Sequence, residues 1–248
     1  MSGAGLGQVQ VVADGAALAE AAARAAIAAV EAACEAHGTC TWVLTGGTTP
    51  VAAYRRLAGH DLRGGIEWDR VRIAMGDERC VPPSDPASNW GQAAAALLDR
   101  VPVSERQRLR LRAELGAEQA ADEYEAVLRR LPPAAPDVPR LEVMWLGVGP
   151  DGHCLSLFPG RPEMEVTDRL VVPVHGAPKP PPDRVSLTLP ALAGVERLLV
   201  LASGEQKAEA IARARAGDER LPITRAVAAV AAHGGQVAWL LDQAAAGG

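Results

Sequence analysis

Aromatic side chains are scarce in this chain of 248 residues, where one phenylalanine, two tyrosines and five tryptophans make up 3% of the sequence. Hydrophobic residues nevertheless account for 48% and charged residues for 22%, a composition typical of globular proteins. The length is sufficient for a large α/β domain with a substantial core. We therefore expect one domain spanning residues 1–248, with a core built mainly from alanine, valine and leucine.

Cysteine and histidine are also few, and their spacing excludes common sites. The four cysteines contain no CxxC pair and are too scattered for a disulfide scaffold: Cys34, Cys40, Cys80 and Cys154. Four of the five histidines fall outside HxxxH or HxH spacing: His37, His60, His175 and His233. The sequence therefore predicts no metal site.

The chain has no excess of positive charge and no long hydrophobic run. Its net charge of -5 argues against a nucleic-acid partner. The longest apolar segment, Ala16–Cys34, is interrupted by Glu20, Arg24 and Glu31, which argues against a membrane span. Residues Met1–Gly7 lack the basic start and apolar run of a signal peptide, so we expect a cytoplasmic protein.

Lysine and asparagine are almost absent. Lys179 and Lys207 are the two lysines in the sequence, and Asn89 is the single asparagine. This bias is typical of genome composition and by itself assigns no function to these three positions.

Short β-type runs alternate with helical patterns along the chain. Strands are predicted at Val9–Val12, Thr41–Leu44, Val71–Met75, Glu142–Leu146, Arg197–Leu201 and Gln236–Leu241. Helices are predicted at Ala16–Ala36 (between an Asp14 cap and a Gly38 stop), Val51–Leu57, Gln92–Leu98, Glu118–Leu131, after Ser203, and at Ile223–Ala232. This alternation predicts an α/β fold with an open, twisted, mostly parallel sheet covered by helices on both faces.

Three of these strands are followed by unusual loops. Thr45–Pro50 is rich in glycine and hydroxyl groups, Gly76–Pro82 is charged and leads to Ser88–Asn89, and Gly147–Gly160 carries an acid and a histidine. Because ligands bind beyond the carboxyl ends of parallel strands, we expect the three loops to form one site.

The loop Thr45–Pro50 has two interpretations. Its paired glycines and Pro50, suited to the first position of a helix, would let backbone N–H groups bind phosphate. Alternatively, it is a tight turn capped by Thr48 or Thr49. No Walker lysine follows, so a sugar phosphate fits better than a nucleotide.

The stretch Gly147–Gly152 matches a GxGxxG pattern, but Pro159–Gly160 ends the segment before a dinucleotide-binding helix could form, which argues against NAD. Asp151 and His153 could form an acid/base pair in this loop, although a lone histidine is more often structural. A nucleophilic Cys154 is disfavoured, because adjacent residues of an extended loop tend to point apart.

The charged run Asp77–Glu78–Arg79 has two interpretations: it is a solvated turn, or its side chains belong to a functional site. In the functional interpretation the acid orients a substrate hydroxyl or a histidine, and the arginine meets an anion or an oxyanion. Considered singly, Arg184 and Lys207 are each typical of charged residues on a protein surface. Together with a glycine-rich loop, however, these two cations would be suited to binding a phosphate dianion.

Five segments, in this order, resemble the 6-phosphogluconolactonase family: TGGTTP, MGDERCVPPSDPASNWG, LGVGPDGHCLSLFPG, KPPPDRVSLTLPAL and GEQKAEAI. The resemblance extends from Thr41 to Ala212. It implies a Rossmann-like fold shared with glucosamine-6-phosphate deaminases and ribose-5-phosphate isomerases, with no metal or nucleotide cofactor. It also implies hydrolysis of 6-phospho-D-glucono-1,5-lactone to 6-phosphogluconate, the second step of the oxidative pentose phosphate pathway.

The same resemblance implies roles for individual residues. The phosphate would be bound by Gly46, Gly47, Thr48, Arg184 and Lys207. His153 would be the general base on water, with Asp77, Arg79 and Asp151 around the lactone and Asn89 in contact with the substrate. Cys154 stands where the family has a threonine after that histidine. A hydrogen bond from the threonine hydroxyl is therefore not expected, but the role of His153 as base is unaffected.

Two other functions remain open at this point. An aldose–ketose isomerase or deaminase of amino-sugar phosphates would use the same scaffold, with Asp77 as the base. A sugar-phosphate-binding protein without turnover is the second, although the chain before the first strand is too short for a helix-turn-helix. For the lactonase we expect a small-molecule lactone as partner and a monomer or weak homo-oligomer.

Overall fold

The computed structural model describes residues 7–248. Its strands are β1 (Gln8–Val12), β2 (Cys40–Leu44), β3 (Val71–Met75), β4 (Asp77–Arg79), β5 (Arg108–Leu109), β6 (Pro133–Ala135), β7 (Val138–Pro139), β8 (Leu141–Gly147), β9 (Val171–Val174), β10 (Arg184–Leu187), β11 (Val195–Ala202) and β12 (Gln236–Asp242). Its α-helices are α1 (Gly15–His37), α2 (Thr48–Leu57), α3 (Asn89–Ala93), α4 (Ala117–Leu128), α5 (Leu189–Leu192), α6 (Ala208–Arg215), α7 (Pro222–Ala232) and α8 (Gln243–Ala246). Single helical turns of the 3-10 type lie at Arg63–Gly65, Trp68–Arg70, Glu105–Gln107, Ala113–Leu115, Pro162–Glu165 and Glu205–Lys207.

A parallel sheet forms the centre of the molecule. Within the described residues it contains seven strands in the order β1–β12–β11–β8–β2–β3–β5, and every neighbouring pair is parallel. Helices pack on both faces, as predicted from the alternation of strands and helices. The six predicted strands are confirmed within one or two residues at either end, whereas the short strand β5 was not predicted.

Helix α1 begins and ends where the sequence predicts. The Asp14 carboxylate accepts hydrogen bonds from the backbone N–H groups of Ala16 and Ala17, at 3.0 and 2.9 Å. Gly38 ends the helix in the left-handed region, with φ of 80°, and its N–H donates to the Cys34 carbonyl.

The centre of the core is aromatic, despite the scarcity of aromatic residues. Alanine, valine and leucine are the most numerous core residues, as expected, but Trp42, Tyr54 and Trp145 are among the largest fully buried side chains. The Trp145 ring stacks on Tyr54 with centroids 5.2 Å apart and meets the edge of Trp42 at 5.1 Å. These contacts join α2 to the neighbouring central strands β2 and β8.

Two helix starts differ from the prediction. Helix α2 begins at Thr48, not after Pro50, and its cap is Gly47 with φ of 110°, without the expected side-chain cap from Thr48 or Thr49. Proline is accepted at the third position because first-turn N–H groups have no partner in the helix. Helix α3 begins at Asn89 and continues as a π-helical turn at Ala94–Leu98, where we had expected one helix over Gln92–Leu98.

A small antiparallel sheet, β4–β10–β9, was not predicted. It includes the charged run Asp77–Arg79, for which the sequence predicts a loop. Strands this short carry little periodicity, and β4 pairs with β10, which lies more than one hundred residues away in sequence. Local patterns therefore give no signal for this sheet.

Two expectations about targeting have different outcomes. None of the helices in residues 7–248 combines the length and apolarity needed to cross a membrane. The expectation that no signal peptide is present concerns the first residues, which lie outside the described residues apart from Gly7.

The packing of the aromatic core predicts the effect of replacing Trp145 on stability. Trp145→Ala should lower the free energy of unfolding by about 3–5 kcal/mol, because it leaves a cavity between Trp42 and Tyr54. The melting temperature should fall by roughly 10 °C, and urea unfolding would measure both variants. Val11→Ala, at a position 49% exposed, is the control and should change stability by less than about 0.5 kcal/mol. Equal losses in the two variants would contradict this account of the core.

Candidate active site

A cleft of about 240 Å³ lies at the carboxyl edge of the parallel sheet. Four neighbouring strands, β11, β8, β2 and β3, direct the segments that follow them to this edge. The site residues predicted from the sequence line the cleft, with the exception of Asp151: Gly46, Gly47, Thr48, Asp77, Arg79, Asn89, His153, Arg184 and Lys207. Asp151 contacts His153 directly.

The loop after β2 is fixed by hydrogen bonds to Tyr54, and its glycine backbone faces the cleft. The Tyr54 hydroxyl accepts from the Thr45 N–H at 3.0 Å and donates to the Thr45 carbonyl at 2.9 Å. A side chain at position 46 would collide with Asn89, since a Cβ there would lie 1.8 Å from its Oδ1. The start of α2 therefore faces the cleft through bare backbone, where free first-turn N–H groups favour an anion.

Asp77 is buried, with 4% of its surface exposed, and hydrogen bonds fix its carboxylate. Its Oδ2 accepts from the Ser156 hydroxyl at 2.7 Å, and its Oδ1 accepts from the Asn89 side-chain amide at 3.2 Å. The same amide donates to the Asp77 carbonyl at 3.0 Å. The buried Asn89 Oδ1 has no hydrogen-bond partner among residues 7–248.

Glu78 fastens the loop that carries Asn89. Its carboxylate accepts four hydrogen bonds, from the Ser88 hydroxyl and from the backbone N–H groups of Arg79, Asn89 and Trp90, at 2.7 to 2.9 Å. Burial raises the pKa of the Glu78 carboxyl, although the hydrogen bonds act in the opposite direction. The interpretation of this run as a solvated turn is therefore wrong, since Asp77 and Glu78 are both buried.

Arg79 contributes a positive charge to the same wall. One guanidinium nitrogen, Nη1, donates to the Ala87 carbonyl at 2.6 Å. The buried Nε has no hydrogen-bond partner within the described part of the chain. On β10, Arg184 is the residue paired with Arg79. Two arginines therefore lie side by side at the cleft.

His153 and Asp151 form a close pair in the turn after β8. The imidazole Nδ1 lies 2.5 Å from Asp151 Oδ1, and the ring packs on Phe158 with centroids 4.8 Å apart. The second ring nitrogen, Nε2, has no hydrogen-bond partner in residues 7–248, and His153 faces the cleft. Partial burial opposes ionisation of Asp151, but the hydrogen bond to His153 and the Lys179 charge hold its pKa well below the usual range.

Backbone geometry explains why glycines flank this pair. The Gly149 N–H donates to the His153 carbonyl at 2.8 Å, and a Cβ on Gly149 would lie 1.9 Å from His153 Nδ1. Gly152 adopts φ of 79°, a conformation that favours glycine. The GxGxxG pattern thus forms a tight turn around the imidazole, and the next helical turn begins only at Pro162.

Arg184 is anchored more firmly than a surface cation would be. It is 3% exposed; its Nε donates to the Pro181 carbonyl at 3.0 Å and its Nη2 to the Lys179 carbonyl at 2.7 Å. The guanidinium carbon lies 5.5 Å from the centre of the Phe158 ring. Burial lowers the pKa of Arg184; Arg79 acts in the same direction and Asp77 opposes it.

Both lysines of the sequence line the cleft, Lys207 from the turn before α6 and Lys179 from the β9–β10 connection. Lys207 forms no hydrogen bond or ion pair with any of residues 7–248, and burial together with the nearby Lys179 charge lowers its pKa, while Asp151 acts in the opposite direction. The four cations of the cleft thus exceed the carboxylates available to pair with them.

Sequence reasoning missed four residues that shape this site: Glu78, Ser156, Phe158 and Lys179. The scarcity of lysine was the available signal for Lys179, and it was interpreted as compositional bias. Phe158, the one phenylalanine of the chain, carried a similar signal. Among the described residues, no three His, Cys, Asp or Glu side chains group as a metal site would require. Burial raises the pKa of the Cys154 thiol. Cys154 is therefore a poor nucleophile, because the thiolate is the reactive form.

Residues 13–239 match the model of a family described as glucosamine-6-phosphate isomerases/6-phosphogluconolactonase. A 6-phosphogluconolactonase of Streptomyces coelicolor is 42% identical over 236 residues, which cover 92% of this chain and 89% of the relative. The human 6-phosphogluconolactonase is 38% identical over 177 residues, covering 71% of this chain and 67% of the relative.

Solved structures show the same architecture. The 6-phosphogluconolactonase of Trypanosoma brucei superposes with a TM-score of 0.84 at 27% identity, covering 97% of each chain. A monomeric glucosamine-6-phosphate deaminase superposes with a TM-score of 0.75 at 20% identity, covering 96% of this chain and 98% of the deaminase. The latter similarity concerns the fold alone.

The Glu78 contacts generate a prediction. Glu78→Gln should destabilise the protein by about 1–3 kcal/mol, because an amide nitrogen would face backbone N–H donors that the carboxylate now satisfies. Chemical unfolding would measure the loss. Glu105→Gln, at a side chain 88% exposed, is the matched control and should be neutral. A neutral result at both positions would show that Glu78 does not hold the Asn89 loop.

Proposed function

Since this chain belongs to the glucosamine-6-phosphate isomerase/6-phosphogluconolactonase family, we propose that it hydrolyses 6-phospho-D-glucono-1,5-lactone to 6-phospho-D-gluconate, the second step of the oxidative pentose phosphate pathway. It is a hydrolase of carboxylic esters, the class of reaction that its curated 6-phosphogluconolactonase relatives are named for. The observation that carries the finer proposal is the Asp151–His153 pair, whose free Nε2 shares a cleft with the glycine loop and four cations.

In this mechanism His153 acts as the general base. The hydrogen bond of Asp151 holds the proton on Nδ1, so that Nε2 carries the lone pair. Nε2 takes one proton from a water molecule as the water oxygen forms a bond to the lactone carbonyl carbon. The tetrahedral intermediate then breaks its bond to the ring oxygen, and the proton on Nε2 passes to that oxygen. Ring opening therefore consumes one water and leaves the histidine unchanged.

Positive charge on the cleft wall supports the developing oxyanion. The Arg79 guanidinium group lines the cleft, and its positive charge would stabilise a carbonyl oxygen that gains negative charge. Asp77 and Asn89 are hydrogen-bonded to each other at the cleft wall, where the Asn89 side chain would contact the substrate. Because both Asp77 oxygens already accept hydrogen bonds, Asp77 is better suited to orientation than to proton abstraction.

The phosphate would bind at the opposite end of the substrate. Backbone N–H groups around Gly46, Gly47 and Thr48 at the start of α2 offer donors, and Lys207 offers an ammonium group that pairs with no carboxylate in the described part of the chain. Arg184 adds positive charge, although two of its nitrogens are engaged with backbone carbonyls. Binding energy from this remote group would orient the lactone carbonyl over His153.

We further propose that residues 1–248 form one domain that functions in the cytoplasm as a monomer or weak homo-oligomer. The family match across residues 13–239 supports a single unit, because one family model spans most of the chain.

The role of His153 generates a prediction. His153→Gln should lower kcat for the lactone by about 10²–10⁴-fold with little change in KM, because the general base is lost while the phosphate contacts remain. Lactone consumption can be followed in a coupled assay with 6-phosphogluconate dehydrogenase. The control is His233→Gln, at an exposed histidine on the Ala229 carbonyl, which should retain full activity.

A near-normal kcat in His153→Gln would remove this residue from the mechanism. Ammonia release from glucosamine 6-phosphate in the unmodified protein, without lactone hydrolysis, would instead favour the deaminase alternative.

Lys207 generates a second prediction. Lys207→Ala should raise KM for the phosphorylated lactone by roughly 10–100-fold, because a charge-assisted contact to the phosphate is lost. Activity on unphosphorylated glucono-1,5-lactone should stay the same, which separates anion binding from catalysis. Arg215→Ala removes an exposed cation from α6 and serves as the control. An unchanged KM in Lys207→Ala would exclude Lys207 from the anion site.

A further inference from the structure

Lys179 approaches the Asp151–His153 pair from outside the turn that carries it. Its ammonium nitrogen lies 3.4 Å from Asp151 Oδ1 and 3.4 Å from His153 Nδ1. Since the Nδ1 proton is directed at Asp151, 2.5 Å away, the ammonium group cannot donate to the same nitrogen. Its contact is therefore a hydrogen bond to the carboxylate and an electrostatic effect on the imidazole.

The backbone of Lys179 is held in place by Arg184. The guanidinium group of this buried arginine donates to the carbonyl groups of Lys179, Pro180 and Pro181, at 2.7, 3.4 and 3.0 Å. Phe158 lies against both the imidazole and the guanidinium group, which keeps the two elements in register. The position of the ammonium group is thus built into the fold, although its own side chain is 41% exposed.

Charged groups surround the imidazole on several elements. Asp151 lies on the same turn, Lys179 on the β9–β10 connection, Lys207 before α6, and Arg184 beyond the Phe158 ring. Asp77 and Arg79 line the cleft from β4. Of these groups, Asp151 and Lys179 lie within 3.4 Å of an imidazole atom, so they have the strongest effect on its charge.

These two neighbours act in opposite directions. A carboxylate at hydrogen-bond distance stabilises the imidazolium form, which has no lone pair on Nε2 and cannot accept a proton from water. A cation next to the same ring destabilises the imidazolium form and also offsets the charge of the carboxylate. The ammonium group therefore opposes the effect that the orienting carboxylate has on the imidazole charge.

We propose that Lys179 is a positioning residue for the hydrolysis: by offsetting the Asp151 charge, it keeps His153 neutral and its Nε2 free to accept a proton near neutral pH. This inference rests on the proposed role of His153 as general base. It assigns Lys179 an effect on catalysis that depends on pH, which neither a purely structural lysine nor a phosphate contact would have.

The test compares Lys179→Met, which keeps the apolar stem and removes the charge, with Lys179→Arg, which keeps the charge. In Lys179→Met the acid limb of the pH profile of kcat/KM should move upward by about one pH unit. Activity at pH 6 should then fall roughly tenfold, whereas activity above pH 8 should approach that of the unmodified protein. Lys179→Arg should restore most of the original profile.

A second readout does not depend on turnover. The imidazole resonance of His153 can be followed by NMR in the substrate-free protein and assigned among the five histidines by its loss in His153→Gln. Its titration midpoint should move upward in Lys179→Met and stay near the original value in Lys179→Arg. Thermal unfolding of each variant shows that the fold is retained.

Three outcomes are distinguishable. An unchanged titration midpoint in Lys179→Met would overturn this inference, even if activity fell. A raised KM with an unchanged pH profile would also overturn it and identify Lys179 as a substrate contact. Full activity of His153→Gln would overturn the proposed base itself, whatever the Lys179 variants do.

Discussion

The parallel alignment of β11, β8, β2 and β3 is the constraint on which the site depends. These strands are neighbours in the sheet, and their carboxyl ends share one edge. The segment after β2 supplies the glycine loop, the one after β3 supplies Asp77, the one after β8 supplies His153, and the one after β11 supplies Lys207. Because hydrogen bonding between the strands fixes their register, the distances among these segments are set by the core.

The cleft concentrates positive charge that carboxylates within residues 7–248 do not neutralise. Burial lowers the pKa of both Arg184 and Lys207, in each case with a neighbouring cation acting in the same direction. Keeping these groups charged and partly buried costs folding free energy, which binding of a dianion would recover. The carboxylates nearest the cleft are committed elsewhere: Asp77 to Ser156 and Asn89, and Asp151 to His153. The arrangement therefore favours a phosphorylated substrate over a neutral one.

Most of the fold could be predicted because it depends on local patterns, whereas the roles of the site residues were predicted from the family resemblance. Strand and helix periodicity located the central sheet, and the residues that follow its strands line the cleft. Contacts between distant segments could not be predicted in the same way. The β4–β10–β9 sheet, the four hydrogen bonds to Glu78 and the approach of Lys179 to Asp151 all join residues that no local pattern relates. The burial of Asp77 and Glu78 was missed for that reason, because a run of charged residues by itself predicts exposure to solvent.

The pairing of β4 with β10 also bears on synthesis of the chain. Ser186 lies opposite Asp77, so the two partners leave the ribosome more than one hundred residues apart. At translation rates of about 5–20 residues per second, the wait is on the order of 5–20 s. During that time the nascent chain holds the buried carboxylates of β4 without the strand that covers them. The cleft can therefore be completed only after β10 and Lys207 have emerged.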